Sequence, residues 1–301
     1  MIICVVGPTG VGKTKLSVEL AKKYDAIIIN CDAMQVYKDL NIGTAKVKEE
    51  EKDGIPHYLF DIKEVTENYT VYDYQKDARA LIEEHKDKNI IFVGGTGLYL
   101  KAALYDYRFA IENTPKKDYS NYTNEELYQM IKEKDINVTI HPNNRIRMER
   151  FLNKEEVEEV PPIKLYDHYL IGLTTEREVL YDRINKRVDI MVEEGLLKEA
   201  KYFYDKDIKT KPLMGGIGYK ELYDYFDNKV SLEEALDKIK QNSRKYAKRQ
   251  YTFINNQLDV NWFEVDFNNF NNTINKVTNF IEKSESSDRN NKCIKKVCKN
   301  N

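Results

Sequence analysis

The chain has 301 residues, with 48 Lys and Arg against 50 Asp and Glu, and 41% hydrophobic and 33% charged residues. It reads as a soluble globular protein of about two domains' length, with enough chain for a sizeable core. No run reaches the roughly 18 to 20 apolar residues of a membrane span, the start MIICVVGPTG lacks signal-peptide features, and four scattered cysteines do not make a disulfide framework, so the expected compartment is the cytoplasm.

In chain order, Ile2 to Val6 is a continuous apolar run closed by Gly7-Pro8, and Leu16, Leu20 and Tyr24 then recur at the step of a helix face. A second apolar run, Ala26 to Ile29, follows at once. Strand, helix and strand in that order mark a parallel sheet with right-handed crossovers. Further runs at Tyr58 to Ile62, Ile90 to Val93, Tyr169 to Leu173 and Val260 to Val265 predict the remaining strands of the same sheet. Between about Tyr107 and Ile163 the sequence turns Asn-, Lys- and Tyr-rich, with Pro115, predicted helices over Asn124 to Lys134 and near Asn143 to Leu152, and Pro161-Pro162. Beyond it Leu180, Ile184, Val188 and Val192 form one helix face, and Gly195 marks a break before the next helix. The expected architecture is α/β: a P-loop NTPase-like parallel sheet flanked by helices over residues 1–107 and 163–283, interrupted by a small helical insertion at 108–162. Residues 284–301, polar and without periodicity, are expected to form a disordered tail.

Gly7-Pro8-Thr9-Gly10-Val11-Gly12-Lys13-Thr14 fits G-x-x-x-x-G-K-[ST] and sits between a buried strand and an amphipathic helix, where such a loop must sit. Its backbone N–H groups would converge on phosphate oxygens, Lys13 would neutralise their charge, and the Thr14 hydroxyl would ligate Mg²⁺. A P-loop NTPase normally adds an acid at the end of a buried strand to hold the magnesium shell. Here Ile90 to Val93 runs instead into Gly94-Gly95-Thr96-Gly97. The acid placed at a strand end is Asp32, in the crevice beside the phosphate loop. From its residue type alone, a lone Asp in a loop is more often a turn residue or a helix cap than a base, and Asp32 gains weight from its position.

The segment from Asp32 to Lys46, DAMQVYKDLNIGTAK, together with GPTGVGKT, GIPHYLFDI, VGGTGLYLKAAL, IHPNNRIRMER, LYDRINKRVDIMVEEGLLKEA, GIGYKEL and RKYAKRQYTF, resembles the tRNA dimethylallyltransferase (tRNA isopentenyltransferase) family in block order, to about Phe267. The resemblance implies transfer of a dimethylallyl group from dimethylallyl diphosphate to the exocyclic amine of the adenosine 3′ of the anticodon. It makes sense of the missing acid, because the loop would grip a leaving diphosphate and no phosphoryl group need move. It also implies that Asp32 is the general base, that Thr9, Lys13, Thr14 and Arg187 hold the diphosphate, and that Thr96, otherwise a strand-end cap, lies on the reaction channel. Arg183, four residues before Arg187, is a weaker candidate for the same site. Asp32, Ala33, Met34 and Gln35 would meet the flipped adenosine.

The implied RNA contacts are Arg145 and Arg147, with Arg150, in the insertion that in the family clasps the anticodon stem-loop, and Arg244, Lys248 and Arg249 within the basic run from Lys240 to Arg249. A net charge of −2 does not oppose this, because residues from Lys240 onward hold 12 bases and 6 acids. The chain departs from the family at Asn30 and Ala33, where Ser is common, at Lys38, where Arg is usual, and at Phe253, where Trp is usual; its insertion also looks short. A monomer using Mg²⁺ is expected. The rival functions are a small-molecule or nucleoside kinase, a non-catalytic tRNA-binding paralogue, and a transferase acting on free adenylates.

Overall fold

The computed structural model describes residues 1–109, 116–153 and 163–297, with side chains through residue 286. One unit comprises Met1–Tyr105 and the chain from Lys164 onward, and a second comprises Asp106–Ile163. The first unit begins β1 (Ile2–Val6), α1 (Lys13–Tyr24), β2 (Ala26–Asn30), α2 (Glu49–Lys52), β3 (His57–Tyr58), α3 (Val71–Glu84), β4 (Asn89–Gly94) and α4 (Gly97–Leu104). The insertion carries α5 (Asn124–Lys134) and α6 (Arg145–Leu152). The first unit then resumes with β5 (His168–Thr174), α7 (Arg177–Glu194), α8 (Leu196–Asp205), α9 (Lys211–Gly215), α10 (Tyr219–Phe226), α11 (Leu232–Gln257), β6 (Asn261–Glu264) and α12 (Phe270–Val297).

All six strands pair in parallel, in the order β3-β2-β4-β1-β5-β6. Apolar runs such as IICVV and AIIIN form the central strands because a parallel sheet covered on both faces has no solvent side. Side-chain alternation divides them between two cores. Ile2, Cys4, Ile27, Ile29, Ile90 and Phe92 pack on one face with residues of α3, α4, α10 and α11. Ile3, Val5, Ile28, Ile91, Ile171 and Leu173 pack on the other with residues of α1, α7 and α12. The first core contains Tyr74 stacked on Tyr99 with ring centroids 4.1 Å apart.

Helix starts follow local chemistry. Thr70 with Asp73, Thr123 with Glu126 and Ser231 with Glu234 form reciprocal capping boxes at α3, α5 and α11. The insertion has its own core of Tyr119, Leu127, Ile131, Ile140 and Met148. Its neck is fixed by a Tyr105–Lys164 bridge and the bond from Leu165 N–H to Leu104 O, which places the boundary at Asp106 and Ile163. Pro115 and Pro161-Pro162 lie outside the described residues.

Two expectations change. The strand expected over Tyr58 to Ile62 ends at Tyr58, because Leu59 and Asp61 adopt φ of 62° and 54°, which no extended strand allows. The tail expected to be disordered continues α12 through Val297. Val277 and Ile281 bury the first half of that helix in the second core, and extending a helix that is already formed costs less than starting one. Residues 298–301 lie outside the described residues.

Candidate active site

The loop between β1 and α1 curls where Gly10 and Gly12 take φ of 83° and 100°, backbone open to glycine at little cost. Gly12 in that left-handed conformation starts α1, so the loop and the helix N-terminus share one wall. The Lys13 ammonium donates to Pro8 O at 2.8 Å, which folds it back over the loop. Its pKa is lowered to about 8 by burial in the cleft and then by the Arg187 charge, with Asp32 acting in the opposite sense. Arg187 reaches the loop from α7, donating to Thr9 Oγ1 at 3.4 Å. Burial lowers its pKa, and the Asp32 carboxylate counters that loss. Arg183, one turn earlier, donates Nε–H to Gly10 O at 3.1 Å and lies over the Phe267 ring.

Asp32 follows Cys31, the first residue beyond β2. Its Oδ1 accepts the Met34 N–H at 2.9 Å, a turn that fixes the carboxylate direction. Asn30, where the family commonly has Ser, accepts the Asp32 N–H at 2.9 Å and donates to Asp32 O and Leu59 O. The Asn30 departure thus supplies backbone support for Asp32. Thr96 accepts the Ala33 N–H at 3.2 Å through Oγ1 and donates its own N–H to Cys31 O, tying the end of β4 to the Asp32 loop. Gln35 donates through Nε2 to Thr44 O and Ala45 O.

Two cavities adjoin here. One, of about 490 Å³, is walled by Gly10, Lys13, Thr14, Gln35, Arg183 and Lys186. The other, of about 320 Å³, is walled largely by apolar groups, among them Met34, Val188, Met191, Leu196, Ile217 and Ile239. Thr9, Asp32, Thr44 and Arg187 line both. A charged group seated on the loop would therefore have an apolar extension beside it, with a carboxylate at the junction.

Several contributors escape a sequence reading. Gln250 of α11 is 5% exposed and accepts the Thr9 N–H at 2.9 Å. The signal was present: a polar residue on the buried helix face of Ile239, Ala247 and Ile254. Tyr246 joins Thr96 and Gln250 by side-chain hydrogen bonds, and burial raises its pKa. Thr44, at the cavity junction, has no motif of its own.

Among the predicted RNA contacts, Lys245, Lys248 and Arg249 are exposed on α11, and Arg249 also lines the apolar cavity. Arg244 instead donates to Asn185 Oδ1 at 2.6 Å, and Lys240 pairs with Asp189. Within the insertion Arg147 and Arg150 are exposed. Arg145 binds Tyr119 O, Tyr122 O and Asn124 Oδ1 and pairs with Glu149, so its guanidinium ties α6 to the turn before α5.

Among the described residues no group of three His, Cys, Asp or Glu could hold a metal ion, and no helix is long and apolar enough to cross a membrane. A donor set of the Thr14 hydroxyl and phosphate oxygens suits Mg²⁺, which binds through substrate phosphates and keeps several waters.

Residues 35–257 match the IPP transferase family model. The chain is 44% identical to the tRNA dimethylallyltransferase of Anoxybacillus flavithermus (strain DSM 21510 / WK1), across 93% of this chain and 96% of that relative. It is similar to the full-length tRNA isopentenylpyrophosphate transferase of Bacillus halodurans, at a TM-score of 0.74 and 42% identity, over 96% of this chain and 98% of that one. A eukaryotic dimethylallyltransferase acting on tRNA aligns at a TM-score of 0.81 and 27% identity, over 95% of this chain and 79% of that one.

Proposed function

The chain belongs to the IPP transferase family and transfers a dimethylallyl group to tRNA; from that premise we propose that the donor is dimethylallyl diphosphate and the acceptor is the exocyclic amine of the adenosine 3′ of the anticodon. The observation that carries the proposal is the sharing of Thr9, Asp32, Thr44 and Arg187 by a phosphate-type cavity and an apolar one. The diphosphate sits on the Gly7–Thr14 loop, held by backbone N–H groups, Lys13 and Arg187. The five-carbon fragment points to the apolar side, where Met34, Val188 and Met191 exclude water.

As the amine nitrogen attacks, the new C–N bond forms while the allylic C–O bond breaks. Its electron pair leaves with the diphosphate, where Lys13 and Arg187 meet the growing charge. Asp32 accepts the proton that the amine releases. The Thr14 hydroxyl would hold a magnesium ion, which would supply further charge neutralisation to the leaving group. Thr96 acts by holding the Ala33 N–H and with it the Asp32 turn. Lys248 and Arg249 of α11 contact RNA backbone, and so does Arg147 of the insertion. The enzyme is taken to act as a monomer in the cytoplasm, a compartment that a tRNA substrate supports.

The test is to incubate the protein with dimethylallyl diphosphate, Mg²⁺ and unmodified tRNA and weigh the digested nucleosides, with free AMP and ATP as parallel acceptors. One adenosine per tRNA should gain the dimethylallyl mass. Prenylation of AMP or ATP in its place would assign a free-adenylate transferase.

A further inference from the structure

Three consecutive backbone N–H groups converge on one distant carboxylate. Glu199 Oε2 accepts from Asn41 at 3.0 Å and Ile42 at 2.7 Å, while Oε1 accepts from Gly43 at 2.9 Å and from the Tyr219 hydroxyl at 2.7 Å. Four donors occupy the carboxylate, so its hydrogen-bonding capacity goes to holding this segment. Glu199 lines neither cavity, but the segment it holds does. Gly43 and Thr44 line the apolar cavity, and Thr44 and Ala45 line the phosphate cavity.

The same strap sets the Gln35 amide. Thr44 O and Ala45 O both face one end of that amide, at 3.0 and 3.3 Å, so that end is the nitrogen and the other is an acceptor. The strap is braced on a second side by Tyr219, because a Cβ on Gly43 would lie 2.7 Å from the ring carbon Cζ and from the hydroxyl oxygen.

We propose that Glu199 is a positioning residue of the transfer reaction: it fixes the Asn41–Ala45 strap, and through Thr44 and Ala45 it sets the Gln35 amide in the cavity that holds Asp32. The proposal rests on the acceptor assignment made under Proposed function. It separates Glu199 from the diphosphate grip, which belongs to the Gly7–Thr14 loop and α7. Disturbing the strap misplaces the acceptor base more than the donor: Gly43, Thr44 and Ala45 line the cavities, but Lys13 and Arg187, the charged partners of the diphosphate, lie on other segments. A misplacement of about 1 Å can cost roughly a hundredfold in rate.

The test uses the full-length protein carrying Glu199→Gln. The amide of Gln turns an N–H₂ toward backbone N–H groups, so half of the cradle is lost. Backbone hydrogen exchange over Asn41–Ala45 should speed up, and kcat on tRNA should fall between about tenfold and a hundredfold, with KM for dimethylallyl diphosphate changing by a smaller factor than kcat. Glu199→Asp, which keeps the charge on a shorter arm, should lie between wild type and Glu199→Gln. Unchanged exchange over the strap overturns the proposal, as does a parallel loss in kcat, both KM values and melting temperature, which would mark a purely structural residue. Should Glu199→Gln fail to fold, Gly43→Ala pushes the same strap from the Tyr219 side and must reproduce a loss of kcat larger than any change in donor KM; if it does not, the proposal fails. Exchange is read without turnover, so a wild type that modifies no adenosine would defeat the acceptor assignment while the cradle was still tested.

Discussion

Gln250 and Thr9 lie 241 positions apart in sequence and are joined by one hydrogen bond, from the Thr9 N–H to Gln250 Oε1 at 2.9 Å. The bond couples the helix carrying the exposed basic residues Lys248 and Arg249 to the Gly7–Thr14 loop, the proposed seat of the diphosphate. Removing one partner of a buried pair costs about 1–3 kcal/mol. Gln250→Ala should therefore lower the melting temperature and raise KM for dimethylallyl diphosphate several-fold, with tRNA affinity retained. A lower melting temperature with an unaltered donor KM would show that Gln250 serves only helix packing.

Asp32→Asn tests the proposed proton acceptor. Asn retains an Oδ1 that can receive the Met34 N–H, so the turn after β2 survives, while the carboxylate basicity is gone. Turnover should fall by about 10²–10⁴-fold, the range for losing a general base, with tRNA affinity close to that of wild type. Single-turnover rates and equilibrium binding on the same tRNA measure the two separately. Equal losses in rate and affinity would reassign Asp32 to base binding.

Lys13 gives the site a pH signature. Burial and the Arg187 charge bring its pKa from 10.5 to about 8, so the free enzyme loses one positive charge from the phosphate site as pH rises through about 8. The profile of kcat/KM for the donor should bend downward there, whereas kcat should bend at higher pH because bound diphosphate holds the proton on. Stability moves the other way. The folded pKa lies below the unfolded one, so the unfolded chain binds more protons between about 8 and 10.5, and this group's contribution to stability rises with pH across that window. Lys13→Arg, which stays charged, should remove the inflection. A wild-type profile flat through the window would show that Lys13 does not govern donor capture.

What the sequence exposed and what it hid follow from the range of the forces involved. The phosphate loop, the central strands and the helix α5 depend on near neighbours: apolar runs, left-handed glycines and a Thr123–Glu126 capping box. The short β3 depends on two left-handed residues, Leu59, where the side chain disfavours that backbone, and Asp61, where it is only occasional; Asp61 is paired with Lys46, which is only 9% exposed. Periodicity turns Gln250 inward on α11, but the partners of Gln250 and Glu199 lie more than 150 positions away in sequence, which periodicity cannot show. Charge runs proved the least direct guide. Lys240 and Arg244 are engaged by Asp189 and Asn185, while Lys245, Lys248 and Arg249 are exposed to solvent.

Gly94 and Gly95 are adjacent but should respond differently to Ala. A Cβ at Gly94 would lie 2.1 Å from Cys31 O, a backbone atom beside β2 that cannot move without opening the sheet. At Gly95 it would lie 1.9 Å from Gln250 Nε2, the end of a side chain that can swing away. Gly94→Ala should therefore fail to fold or melt far below wild type. Gly95→Ala should fold and reproduce the donor KM of Gln250→Ala, and the double variant should show no further loss, because both act through the same Gln250 side chain. Additive losses would mean that Gly95 matters for some neighbour other than Gln250.

Arg145 and Arg147 stand two residues apart at the start of α6 and should separate structure from RNA binding. Arg145 is bound to Tyr119 O, Tyr122 O, Asn124 Oδ1 and Glu149 within the insertion, so Arg145→Lys should loosen that unit, seen as faster hydrogen exchange across α5 and α6. Lys supplies a charge but not the planar fork that reaches several acceptors at once. Arg147 is exposed, and Arg147→Ala should leave exchange unchanged while weakening tRNA binding. Removing one cation from an RNA phosphate reduces the dependence of log affinity on log salt by roughly 0.7 to 0.9. A salt slope that drops for Arg147→Ala and holds for Arg145→Lys would place Arg147 on the RNA backbone. An unchanged slope for Arg147→Ala would remove it from the interface and leave the basic face of α11 as the RNA-binding surface.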